Sequence, residues 1–305
     1  MERFFKKEII IKILLIVIVI LLTKIAMSPI NINYPTTDWM KNIDDNKPIN
    51  DLVIPGTHDS GSTHSIFDVA GKCQDMSIKN QLNVGIRFLD IRLQLVKDEL
   101  SVVHSFVDQN LSFIDVLEDI NEFINNYQTE FLIISIKEDS DPKNSTVEFE
   151  DKVLEELSKY NRIVLDSLPK TIKDARGKIY ILNRFTSIDV GINAYNGWRD
   201  STSFELGDLY IQDNYSVHST AIKIDDIKKT FELSMKDPNH LYLNFTSCYL
   251  NNTFPPLYAG TPAKKINKWL IDYLNEYQIK GIVIMDFVTK DLVKTIYEVN
   301  YEKTN

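Results

Sequence analysis

From Asp51 onward, short β-branched runs alternate with longer stretches whose apolar residues recur at i, i+3 and i+4. The short runs predict strands over Asp51–Ile54, Ile86–Arg92, Ser101–His104, Phe131–Ile136, Lys178–Leu182, Leu209–Gln212, Leu241–Phe245 and Gly281–Met285. The longer stretches predict helices around Phe113–Tyr127, Val147–Lys159, Ile222–Met235 and Pro262–Tyr277; Leu117, Ile120 and Ile124 show the spacing. Strands interleaved with helices in one domain of this size predict an α/β fold, a parallel (β/α)8 barrel of the TIM type. Two connections are too short for a full helix, so the barrel is expected to be distorted.

The two ends of the chain break this pattern. Arg3, Lys6, Lys7 and Lys12 precede an unbroken aliphatic run, Ile13 to Leu22, which is the layout of an export signal. The longer run from Ile9 to Met27 also has the roughly 20 residues needed to span a bilayer. Ala26 and Ser28 form a small-x-small cleavage pattern, but Pro29 would follow the cut. Residues 1–30 are therefore read as a signal peptide or signal anchor, residues 31–50, with Pro35, Pro48 and an Asn/Asp stretch, as a polar linker, and residues 51–305 as a single barrel domain. The protein is expected to be exported, either secreted or held at the outer face of the cell membrane.

Composition narrows the partners. With 34 basic against 43 acidic residues the net charge is −9, which argues against nucleic acid, whose phosphates need a basic footprint. Cys73 and Cys248 lie in no metal-ligand spacing, so they read as two free thiols or one long-range disulfide.

A barrel places its chemistry where the strands end, so the first polar residue after each apolar run is the informative one. Those positions hold Gly56-Thr57-His58-Asp59-Ser60, then Asp90 and Arg92, His104, Lys137-Glu138, Arg184, Asp213 with Tyr215, Asn244, and Asp286. Two histidines suit acid and base roles near neutrality, Arg92 can hold phosphate oxygens in pairs, and Asp213, Arg184 and Tyr215 suit a hydroxyl-bearing ring. The implied ligand is a phosphate ester of a polyol. His64, His218 and His240 stand in no such context and read as structural.

The segments IPGTHDSG (54–61), GIRFLDIRLQL (85–95), VVHSF (102–106), FLIISIKED (131–139), IYILNRF (179–185), IQDNY (211–215), LNFTS (243–247) and IVIMDF (282–287) together resemble bacterial phosphatidylinositol-specific phospholipase C, whose X-domain barrel is shared with eukaryotic phosphoinositide phospholipases. The resemblance covers residues 50 to 290 in family order. It implies a phosphatidylinositol diacylglycerol-lyase, acting as a monomer on phosphatidylinositol or a glycosylphosphatidylinositol in a membrane surface, with no metal and no cofactor. It further implies that His58 is the general base, oriented by Asp286, and His104 the general acid, partnered by Asp59. Arg92 would hold the phosphate where calcium sits in the eukaryotic relatives, steadied by Asp90. Lys137, Arg184, Asp213 and Tyr215 would form the inositol pocket. One departure concerns the surface: members of the family carry a tryptophan on a short helix soon after the GTHDSG motif, and none lies between Asp59 and Arg92 here. The rim Cys248 to Tyr258, with Tyr249 and Phe254, or the N-terminal segment is expected to take over that contact. The competing readings are a metal-dependent phosphodiesterase on the same barrel, such as a glycerophosphodiesterase, which needs a carboxylate-rich metal site, and a non-catalytic inositide-binding protein, which should have lost one of His58, His104 or Arg92.

Overall fold

The computed structural model describes residues 36–64, 71–105, 107–252 and 258–301. Their strands, in chain order, are β1 (Val53–Thr57), β2 (Phe88–Val96), β3 (Glu99–His104), β4 (Val107–Ser112), β5 (Leu132–Glu138), β6 (Ile163–Val164), β7 (Ile179–Arg184), β8 (Ile192–Asn193), β9 (Ser203–Leu206), β10 (Leu209–Gln212), β11 (Ser216–Val217), β12 (Leu241–Phe245), β13 (Tyr249–Leu250) and β14 (Gly281–Met285); β11 and β13 pair with each other, and the others form one curled sheet. Across the sheet the order is β6-β7-β5-β2-β1-β14-β12-β10-β9. Every neighbouring pair on this path is parallel except the last, β10 with β9. Among the described residues no pairing joins β9 to β6, so the barrel stays open there.

The distortion has a local cause. The expected strand Ser101–His104 forms, but as part of β3 in an antiparallel hairpin laid on β2, with β4 beyond it, and it takes no place on the parallel path. Lys97 and Asp98, between β2 and β3, both have positive φ, 53° and 64°, the geometry that a two-residue hairpin turn requires. A parallel crossover cannot be made in two residues, so β3 had to run backwards. β2 and β5 therefore pair directly, and the parallel path gains instead a strand at its open edge, β6 beside β7, two residues long and too short to leave a periodic signature.

Helices pack on the sheet at Phe113–Asn126, Phe149–Ser158, Thr220–Ser234 and Gly260–Glu276, near the predicted bounds. Phe113–Asn126 begins with a capping box between Ser112 and Asp115 and buries Val116, Leu117, Ile120 and Ile124 against the strands. Three further α-helices, Ile78–Val84, the single turn Ile172–Ala175 and Lys290–Glu298, have no counterpart among the predictions. At Gly56 a Cβ would come within 2.9 Å of the Phe88 Cβ, so this glycine lets β1 approach β2 at the base of the His58 loop.

The expected polar linker is corrected by the structure. From Thr36 onward the segment belongs to the domain: Trp39 and Met40 are fully buried, and the Trp39 ring stacks on Tyr297 with centroids 5.3 Å apart. The Trp39 indole donates to the Gly85 carbonyl at 2.9 Å. Arg87, entirely buried, donates to the carbonyl of Thr37 and pairs with Glu130 at 2.7 Å, while Glu130 also accepts the Met40 N–H. Arg176 adds bonds to the carbonyls of Met40 and Ile43 and to the Asp45 carboxylate. Gly85, Arg87, Glu130 and Arg176 all precede strands, so residues 36–51 close the N-terminal end of the barrel. The polar residues that suggested a linker are the outer side of this plug.

Burying an ion pair makes that closure sensitive to single substitutions. Arg87→Ala leaves Glu130 charged and alone in the interior and should cost about 3–5 kcal/mol, read as a drop in the urea midpoint. Arg87→Met with Glu130→Leu should recover most of the loss, and a double variant no better than Arg87→Ala would show that the carboxylate is not the source of the penalty.

The aliphatic run from Ile9 to Met27 lies outside the described residues. Among the described residues, no helix is long and apolar enough to cross a membrane.

Candidate active site

The site grows from the C-terminal ends of adjacent strands. β1 and β14 run in register up to Thr57 opposite Met285, which puts the next residue of each, His58 and Asp286, side by side. Their side chains meet, with His58 Nδ1 2.9 Å from Asp286 Oδ1. Gln74 donates to the carbonyls of both His58 and Met285 at 2.8 Å and ties the two strand ends together. On its other side, His58 Nε2 lies 2.8 Å from an Arg92 Nη2. A guanidinium can only donate, so Nε2 carries the lone pair and the proton sits on Nδ1, facing Asp286. Burial works against the protonated ring, as does Arg92, but Asp286, through its charge and its hydrogen bond, together with Asp59 holds the His58 pKa above its ordinary value.

Register also explains the cations. Arg92 on β2 pairs with Lys137 on β5, and Lys137 pairs with Arg184 on β7, so three positive side chains stand in one row across the sheet. Each has carboxylates close by. Arg92 is 3.2 Å from Asp90, 3.6 Å from Asp59 and 3.6 Å from Asp139; Lys137 is 2.8 Å from Asp139; Arg184 is 3.6 Å from Asp90. Burial disfavours the Arg92 charge, yet these carboxylates more than offset it and hold the group well above its usual range. For Asp90 the same balance runs the other way: burial would raise it, and Arg92 and Arg184 pull it far below the usual carboxylate range. Asp139, pushed up by burial and down by Arg92 and Lys137, ends at about 2.

His104 reaches this row by an unusual route. Leu93 on β2 faces Val102 on β3, so the returning strand ends beside Arg92 rather than above it. There His104 Nε2 stands 3.3 Å from Asp59 Oδ2, and the half-buried ring lines the cavity. Asp59 has φ of 46°, a left-handed conformation that turns the chain sharply after His58 and sets the carboxylate between His104 and Arg92. Burial raises its pKa, against the pull of Arg92 and His104.

The opposite wall is made by Arg184, Trp198, Asp213 and Tyr215. The Arg184 guanidinium lies over the Trp198 ring at 3.6 Å, and the Trp198 indole donates to Asp213 at 3.1 Å. Tyr215 bonds Asp200 through its hydroxyl. Together these groups enclose a cavity of about 700 Å³. His58, Arg92, His104, Lys137, Arg184, Asp213, Tyr215 and Asp286 all line it, and Asp59 and Asp90 stand directly behind. Buried polar atoms without a hydrogen-bonding partner gather here: Asp286 Oδ2, Arg184 Nε and Ser247 Oγ, with Asp59 Oδ2 and Arg184 Nη1 held only by ion-pair contacts of 3.3 to 3.6 Å. Such atoms are costly in an interior, and their convergence on one cavity marks a place built for a polar, anionic ligand.

A metal fits this arrangement poorly. His58, Asp59 and Cys73 bring donor atoms within 4.8 Å of one another. The Arg92 guanidinium, however, already sits against both His58 and Asp59, and a second cation would be repelled by it. Burial holds the Cys73 thiol well above its usual range, so it is no ready thiolate ligand. Both cysteines are free thiols.

Asp139 as a partner of Arg92, and Trp198 and Asp200, are not among the residues that the sequence pointed to. Asp139 had a signal, since it lies two residues beyond Lys137 and so on the same side of the extended chain. Trp198 and Asp200 had none: they lie in the irregular stretch between β8 and β9, where no periodicity points inward. Of the expected rim contact, Tyr249 and Tyr258 border the cavity, and Phe254 lies outside the described residues.

Residues 46–185 match the family model described as phosphatidylinositol-specific phospholipase C, X domain. The chain is 30% identical to a 1-phosphatidylinositol phosphodiesterase of Listeria monocytogenes over 89% of its own length and 87% of the relative's. It is 29% identical to the protein of the same name from Staphylococcus aureus, over 69% of this chain and 74% of that one. Among solved structures, a phosphatidylinositol-specific phospholipase C from Staphylococcus aureus superposes with a TM-score of 0.80 at 27% identity, covering 88% of this chain and 98% of that chain. The Listeria monocytogenes enzyme superposes with a TM-score of 0.70 at 27% identity, covering 88% and 100%.

Proposed function

Because this chain belongs to the phosphatidylinositol-specific phospholipase C family, with its X-domain barrel, we propose that it cleaves the glycerol–phosphate bond of phosphatidylinositol, releasing diacylglycerol and inositol 1,2-cyclic phosphate. The observation that carries this reading is the pairing of two His–carboxylate couples, His58–Asp286 and His104–Asp59, on either side of Arg92 in one cavity.

The geometry supplies what such a reaction needs. His58 Nε2, bearing a lone pair, takes the proton from the inositol 2-hydroxyl, and Asp286 supports the imidazolium that results. The deprotonated 2-oxygen attacks the phosphorus of its own ring substituent, an intramolecular step that requires little beyond positioning. Arg92, released from Nε2 as the hydroxyl arrives, turns its donors to the phosphate oxygens where negative charge accumulates. His104 delivers a proton to the departing glycerol oxygen. Lys137, Arg184, Asp213 and Tyr215 line the space left for the inositol ring. The apolar run near the N-terminus supports export to a lipid surface outside the cell.

Pure phosphatidylinositol should yield a product lighter by one water than inositol monophosphate. Turnover should be unchanged in excess EDTA, because Arg92 supplies the positive charge at phosphorus. Activity lost to the chelator and restored by calcium or magnesium would move the chain to the metal-dependent reading.

The pH profile should carry the mark of Asp286. The base works only when neutral, so activity falls as pH drops through the raised His58 pKa. Asp286→Asn removes the group that raises it, and the acid limb should move to lower pH while turnover drops by about two orders of magnitude. An acid limb that stays in place would mean that His58 is not the group titrating there.

A further inference from the structure

The protein carries a net charge of −9, yet a substrate in a bilayer lies among anionic head groups. Docking therefore needs a local surface of the opposite sign beside the cavity. The helix Gly260–Glu276 presents one. Lys264, Lys265 and Lys268 stand exposed in its first three turns, and none of them forms an ion pair with a described residue. Its acidic residues, Asp272 and Glu276, stand at the other end, and its first turn holds no acidic residue. This distribution is the reverse of what the helix dipole favours, which prefers anions at the start and cations at the end. Folding stability gives no reason for it.

The lysine-rich end lies at the height of the reaction site. Asn267, within the lysine cluster, donates to the Asp286 carbonyl at 2.9 Å, and Gly260 abuts the Phe287 ring. Tyr258 and Ala259, which lead into the helix, line the cavity, and Tyr258 is 40% exposed. Trp269 follows Lys268 directly and lies one turn beyond Lys265. Lysines interleaved with an aromatic at the edge of a lipid-headgroup cavity match the charge and the layered polarity of a bilayer interface.

We propose that the exposed face of this helix, through Lys264, Lys265 and Lys268 with Trp269 among them, is the docking surface for an anionic phospholipid bilayer, replacing the tryptophan absent between Asp59 and Arg92. The inference rests on the phosphatidylinositol reading for its biological sense, but its test does not.

The full chain is added to phosphatidylcholine vesicles with or without phosphatidylserine, containing no phosphatidylinositol and carrying a headgroup-labelled quencher. Trp269 reports contact, since Trp39 is buried and Trp198 faces the cavity, and Trp269→Phe gives the background. Quenching should appear with phosphatidylserine, weaken in high salt, and nearly vanish without it. In the triple variant K264Q/K265Q/K268Q the docking constant taken from the quenched fraction should fall about 100-fold, at roughly five-fold per lysine. Its turnover of a short-chain, water-dispersed phosphatidylinositol should stay at the wild-type level, which also shows that the variant folds. Equal quenching with and without phosphatidylserine, or wild-type quenching in the triple variant, would overturn the assignment. Failure of both proteins on the short-chain substrate would sink the proposed activity and leave the docking result standing.

Discussion

His58→Ala should lose about four orders of magnitude or more in turnover on every inositol phosphodiester, because without Nε2 nothing in the cavity is placed to take the 2-hydroxyl proton. His104→Ala should behave differently, and the difference identifies its role. A glycerol alkoxide leaves poorly, so protonating it in the transition state contributes about two to four orders of magnitude on phosphatidylinositol. A nitrophenyl ester of inositol phosphate leaves as a stabilised phenolate and needs little such help. His104→Ala should therefore be crippled on the lipid yet keep most of its rate on the nitrophenyl ester, while His58→Ala fails on both. The separation follows from the structure, where the two rings lean on different carboxylates on opposite sides of Arg92. Equal losses for His104→Ala on the two substrates would leave that residue a binding or structural group.

Arg92→Ala should cost about three orders of magnitude on both substrates, since charge builds at phosphorus whatever the leaving group. It should also destabilise the protein at neutral pH. Asp59, Asp90 and Asp139 all gather around the guanidinium, and removing it leaves them close together with no shared counter-charge. Arg92→Lys separates the two effects. An ammonium restores most of the stability but cannot offer two phosphate oxygens a pair of donors in one plane, so activity should remain at least about ten-fold down. Full activity in Arg92→Lys, measured beside its urea midpoint, would show that charge alone matters at that position.

Much of this was legible in the sequence because the chemistry sits where strand periodicity ends. His58, Arg92, Lys137, Arg184 and Asp286 each close or directly follow an apolar run, and parallel register then brings them together with no further information. His104 was found by the same rule for a different reason, since its strand runs backwards and only the tight turn at Lys97-Asp98 returns it to Arg92. The plug at 36–51 was misread because its buried contacts come from single residues, Trp39, Met40 and Ile49, separated by polar ones at no regular spacing. Trp198 escaped for a similar reason. Its importance lies in one stacking contact and one hydrogen bond, neither of which leaves a pattern along the chain.

The plug also fixes where the polypeptide enters and leaves. Thr37 is held by the Arg87 guanidinium, and Tyr301, near the other end, donates its hydroxyl to the Trp39 carbonyl, so both ends of the domain emerge together at the N-terminal ends of the strands. The catalytic mouth opens at the opposite pole. A leash attached at either end, whether a natural extension, a fusion partner or a support surface, therefore pulls on the back of the barrel and leaves the mouth turned outward.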